Sequence, residues 1–139
     1  RTDPTLEPLA LFGLKTQNAE EGIRQLKKGL PSKGWATLVT TLDTREKDLA
    51  EVVQIPPTTL ARRKKSGRFT PEESERLFRL ARLVTQARAV FRSEEGVARW
   101  FKKPNRALGG KTPLEYASTP IGAAEVERVL DRILDGGPA

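Results

Sequence analysis

The sequence predicts an all-α protein: two helical modules joined by one long central helix. Three observations predict it. Apolar residues recur at i, i+3, i+4 and i+7 through most of the 139 residues. Two capping boxes, Thr70-Pro71-Glu72-Glu73 and Thr112-Pro113-Leu114-Glu115, announce helix starts. No stretch alternates in the manner of a strand, and no internal repeat or low-complexity run breaks the pattern.

The elements follow in order. Residues 1–19 are ambiguous: Leu6, Leu9, Ala10 and Leu14 suit a short helix interrupted near Gly13. Residues 20–29 read as a helix with Ile23 and Leu26 inward, closed by Gly29 and Pro31. The next, 32–42, places Trp35, Leu38, Val39 and Leu42 on one face. Asp43 or Thr44 is the expected cap of a helix that carries Leu49, Val52 and Val53 and ends near Gln54. Pro56-Pro57 breaks it, and proline at a first turn starts a new short helix to about Lys65, stopped by Gly67.

Thr70 caps the long helix, 71–91, whose inner stripe is Leu77, Leu80, Ala81, Val84, Ala87 and Phe91. Phe78, Leu83 and Val90 lie off that stripe, so the helix is expected to be covered on more than one side. Ser93 caps a helix of 94–102 with Val97, Trp100 and Phe101 inward; Pro104-Asn105 breaks it, and Leu108-Gly109-Gly110 forms a turn. A short helix opens at Thr112, and the last, from Pro120 to Asp135, carries Val126, Val129, Leu130, Ile133 and Leu134 before Gly136.

Formal charge is +7. Residues 1–68 hold 13 cations and 8 anions against 12 and 10 in 69–139, so the basic excess lies in the first half, as suits a polyanionic partner. Cys and His are both absent, which excludes disulfides, Cys/His zinc sites and any Cys- or His-based nucleophile or base. The lack of Cys fits a cytoplasmic location; no long apolar run spans a membrane and no signal-peptide pattern opens the chain. With Met absent as well, the sequence is expected to begin after a trimmed start.

Little supports catalysis. The carboxylate pairs Glu20-Glu21, Glu72-Glu73 and Glu94-Glu95 each sit in a helix's first turn, where the N-terminal partial charge stabilises them. Gly109-Gly110-Lys111-Thr112 superficially resembles the end of a phosphate loop, but the upstream glycine and the leading strand are missing. Trp100 and Phe101 fit core packing better than base stacking. No catalytic residue, cofactor site or metal site is expected.

The strongest constellation is residues 45–68: two short helices meeting at a tight turn, with five of the seven residues from Arg62 to Arg68 cationic. A recognition helix needs small polar side chains at its N-terminus and cations for phosphates. Thr58, Thr59, Arg62, Arg63, Lys64, Lys65 and Arg68 are therefore the candidate DNA-binding residues. Thr58, Ala61, Arg62 and Lys65 share the outward face while Leu60 packs on Val52 and Val53. A solvated basic helix end is the plain structural alternative.

Thr59-Leu60-Ala61-Arg62-Arg63-Lys64 followed by Gly67 through Leu77 resembles a run in Xre–MbcA–ParS-type antitoxins. Trp100-Phe101, Pro104-Asn105, Leu108-Gly109-Gly110, Thr112-Pro113-Leu114, Gly122 and the Leu130…Ile133…Gly136 ending continue the resemblance into the family's toxin-binding module. It covers 55–137 well and 20–54 weakly, with departures at Pro56, Thr58 and Phe69.

The resemblance implies a helix-turn-helix module (1–68) that represses a shared operon and a C-terminal module (69–139) that binds a RES-domain toxin. Such toxins resemble ADP-ribosyltransferases and act on NAD, and the antitoxin obstructs their active site. The partners it implies are that toxin, operator DNA and further copies, in a homodimer or a hetero-oligomer with toxin. Toxin contacts are expected at Leu108, Gly109, Gly110, Leu130, Ile133, Leu134, Gly136 and Gly137. A stand-alone helix-turn-helix repressor with a C-terminal dimerisation module is the alternative reading; a small helical enzyme is a more distant one.

Overall fold

The computed structural model describes residues 4–136. A 3₁₀ segment, Pro4–Phe12, leads into α1 (Ala19–Lys28), α2 (Gly34–Leu42), α3 (Glu46–Val52), α4 (Pro57–Ser66) and α5 (Pro71–Phe91). Then follow α6 (Glu94–Lys102), a 3₁₀ turn (Arg106–Leu108), α7 (Pro113–Tyr116) and α8 (Pro120–Leu134). The fold is all-α; among the described residues the sole extended pairing is one antiparallel bridge, Pro31–Arg68.

Capping chemistry places most boundaries where the sequence puts them. At both Thr70 and Thr112 the hydroxyl accepts the N–H three residues on, while the glutamate there accepts the cap's own N–H. Ser93 and Thr119 accept from Gly96 and Gly122, opening α6 and α8.

The expected cap at Asp43 or Thr44 is not formed. Asp43 instead closes α2 in the left-handed region (φ 48°), and Arg45 is the uncapped entry to α3.

Residues 4–30 pack differently from their periodicity. Leu6, Leu9, Leu11 and Phe12 are buried and Ala10 is exposed, because three residues per turn bring a different set inward. Ile23, expected inward, is 54% exposed. The face of α1 that meets the protein is instead Gly22: a Cβ there would lie 2.8 Å from Leu6 and 3.5 Å from Leu9. The absent side chain lets the 3₁₀ segment lie directly on the helix, and that contact, not the most apolar residue, orients α1.

α5 is the centre. It packs against the 3₁₀ segment, α1, α6 and α8. Leu77, Leu80, Ala81, Leu83, Val84 and Ala87 are all buried, with Phe78, Val90 and Phe91 half-buried, so side chains on several faces find cover. The buried residues form one continuous cluster from Leu6 to Leu130. Near α5's start, the Phe69 N–H donates to the Leu30 carbonyl (3.0 Å) and the Ser32 N–H to that of Gly67 (2.9 Å). Ser74 of α5 accepts the Leu30 N–H at 2.7 Å, tying the ends of α1 and α4 to the central helix.

Candidate functional site

The α3–α4 pair is a helix-turn-helix whose turn is fixed from outside. Val53 and Ile55 are buried on either side of Gln54, which adopts a positive φ of 58°. The last carbonyls of so short a helix as α3 need donors. Arg76 of α5 supplies one, its Nε donating to the Val53 carbonyl at 2.7 Å. Pro57 at α4's first position has no N–H left wanting an acceptor, and Leu60 is α4's buried residue.

The seven candidate DNA-binding residues divide into two sets. Arg63 forms a two-pronged pair with Glu73 (2.8 and 3.2 Å). Lys64 pairs with Glu46 of α3, and the Arg68 guanidinium donates to the Gly29 carbonyl at 2.7 Å. These three cations clamp α4 to α3, α5 and the end of α1, which corrects the expectation that they are a free phosphate-binding row. Thr58, Arg62 and Lys65 remain exposed on the outer face, and Thr59 is half-buried and accepts from Arg62.

Electrostatics at the clamp follow from its geometry. Burial pushes the Glu73 carboxyl up, but hydrogen bonds from Arg63 and from the Thr70 N–H outweigh it and hold it below the usual carboxylate range. The Arg63 guanidinium is correspondingly raised by Glu73.

The C-terminal candidates also divide. Leu108 and Leu130 are 1% and 0% exposed, so neither side chain can reach a partner; both are core, a correction to their expected contact role. Gly109 and Gly110 form an exposed turn with positive φ, and Gly136 is exposed; Gly137 lies outside the described residues. Ile133 is half-buried against the core, whereas Leu134 is 60% exposed. Ile121 at the head of α8, which the periodicity did not single out, is 81% exposed. The 3₁₀ turn packs on α8, so the Leu108–Gly110 turn and the last helix, chosen separately in sequence, are neighbours.

No cluster of three or more Asp or Glu side chains that could hold a metal occurs among the described residues, and no described helix is long and apolar enough to cross a membrane.

Residues 21–82 match the family model of the antitoxin Xre-like helix-turn-helix domain, and residues 86–136 that of the antitoxin Xre/MbcA/ParS C-terminal toxin-binding domain. The chain belongs to the Xre/MbcA/ParS-type antitoxin family. It is 36% identical to antitoxin Xre of Yersinia enterocolitica over 64% of this chain and 62% of that relative. It is 37% identical to antitoxin Xre of Pseudomonas putida over 59% of this chain and 52% of that one. The match thus spans between half and two thirds of those relatives. A Prs ADP-ribosylating antitoxin of Sphingobium is 26% identical over 93% of the chain and 87% of its own length. Both family segments include part of α5, so one helix lies in both matched segments.

Proposed function

We propose that the chain neutralises a RES-domain toxin, one that consumes NAD or ADP-ribosylates a protein, by seating its C-terminal module on the toxin's active site. The observation that carries this reading is the placing of exposed apolar residues. Of the three large hydrophobics exposed among the described residues, Ile121 and Leu134 both lie on α8, inside the segment matched as toxin-binding. The two stand at opposite ends of α8, roughly 20 Å apart along its axis, so they are separate points rather than one patch; what supports the reading is that both fall inside the matched docking domain. The name of the Sphingobium relative supports an ADP-ribosylating toxin as partner.

The helix-turn-helix, in this reading, binds operator DNA through Thr58, Arg62 and Lys65 and represses the shared operon, in the cytoplasm and as a homodimer or toxin-bound oligomer. The modules divide function near residues 68 and 69. Co-expression with the toxin encoded beside this gene tests the reading: growth should be rescued and the two chains should co-purify. Toxicity that persists in the presence of soluble antitoxin would refute it.

A further inference from the structure

We infer that a carboxylate-bearing segment of the toxin seats in a cleft between α6, the Arg106–Leu108 turn and α8. This rests on the toxin-binding reading above and names the chemistry of that contact. The cleft holds about 600 Å³, with Trp100, Ala107 and Val129 among its apolar walls and Lys103, Arg106 and Arg132 around them. No carboxylate of the described residues lines it. The clefts beside Gly13, Thr44, Thr40 and Ile121 each carry at least one: Glu7, Asp48, Asp43 and Glu115 respectively.

The cations are uncommitted as well as convergent. Among the described residues most arginines and lysines with side-chain partners answer a carboxylate, as in Arg63–Glu73, Arg82–Glu127, Arg88–Glu94 and Lys102–Asp43. Lys103, Arg106 and Arg132 are all exposed and take part in none of the ion pairs or side-chain hydrogen bonds of the described residues. Trp100 is 8% exposed, and its Nε1–H, itself sealed from solvent, finds no acceptor among the described residues. The one side-chain acceptor in this wall, Asn105 Oδ1, is taken by the Ala107 N–H at 3.0 Å. The cleft therefore offers positive charge that no carboxylate among the described residues answers.

Three like charges around a partly enclosed apolar hollow focus a positive potential there, which draws an anion more strongly than the same charges spread over a flat surface. The apolar walls fit the methylene stem of a glutamate or an apolar neighbour of an aspartate, and the cations meet the carboxylate at the rim. The position fits a protein partner. The cleft sits between the Leu108–Gly110 turn and the end of α8, within the segment matched as toxin-binding.

The test is titration of the toxin from the same operon against the full chain, its Arg106→Glu/Arg132→Glu variant and its Arg106→Gln/Arg132→Gln variant, at low and high salt. The charge reversal should weaken binding on the order of tenfold or more at low salt, the glutamine variant less, and both should flatten the salt dependence. Melting temperature and operator binding should not move, since neither arginine has a partner in the fold. Wild-type affinity in the reversed variant would overturn the cleft while leaving the antitoxin reading standing. A loss of equal size at all salt concentrations would overturn the carboxylate. A wild-type chain that fails to bind the toxin would overturn both.

Discussion

The Arg63 Nε lies 2.8 Å from Glu73 Oε1, and the same oxygen accepts the Thr70 N–H at 2.9 Å. One carboxylate thus caps the central helix and holds the helix assigned to DNA. A phosphate contact from Arg63 would require it to leave Glu73, whose side chain is only 9% exposed and would then be uncompensated.

A pH dependence follows from that carboxylate. Because its pKa is lower folded than unfolded, Glu73 contributes stability that is fully present above the ordinary carboxylate range. The contribution is lost as pH falls through the lowered folded value. Thermal melts between pH 6 and pH 3 should show a smaller fall for Glu73→Gln than for the wild type. Equal falls would exclude Glu73 as a source of acid lability.

The division of the α4 cations predicts two mutant phenotypes. Arg62→Ala/Lys65→Ala should weaken operator binding and lower the salt slope by about 2, at about 0.9 per phosphate contact. It should leave the melting temperature unchanged. Arg63→Ala should lower the melting temperature, with any loss of DNA binding following the loss of fold. Fluorescence anisotropy at several salt concentrations, beside calorimetry, separates them; a reduced slope in folded Arg63→Ala would reverse the assignment.

The two threonine caps should each be worth about 1 kcal/mol, measured by denaturant unfolding of Thr70→Ala and Thr112→Ala. An unmoved midpoint in either variant would mean that its capping box contributes nothing.

Gly122 is required by close approach. A Cβ there would stand 1.8 Å from the Tyr116 carbonyl oxygen, a backbone atom that cannot swing aside. Gly122→Ala should therefore destabilise the chain by about 2 kcal/mol through forced displacement of α8 from α7. A fully stable alanine variant would show that α8 can shift at little cost.

Leu130 and Leu134 lie on the same helix and should behave oppositely. Leu130→Ala, at 0% exposure, should cost about 3 kcal/mol of folding stability. Leu134→Ser, at 60% exposure, should leave the melting curve in place and weaken toxin neutralisation in the growth assay. Removal of residues 133–139 should likewise spare the helix-turn-helix and its DNA binding while abolishing protection. Full protection by the truncated chain would move the occlusion site to the Leu108–Leu114 turn.

The local signals were legible in sequence because they are local. Thr70, Ser93 and Thr112 cap their helices through atoms three residues away, and Pro57, Pro71, Pro113 and Pro120 stand at first turns. The apolar repeat of α5 foretold its central place, since a helix apolar on several faces must be covered on several faces. Those features determine the helices, their order and the helix-turn-helix.

What remained was decided by residues far apart in the chain. Whether Ile23 turns inward depended on Gly22 meeting Leu6, and whether Arg63 is free depended on Glu73 lying beside it. The helix-turn-helix bend is held by Arg76, 23 residues beyond Val53. Lys103, Arg106 and Arg132 share a cleft only because the turn after α6 packs on α8. Periodicity tells which side of a helix is apolar. Which charges are answered within the chain, and which are left for a partner, depends on the tertiary neighbours that folding brings to each one.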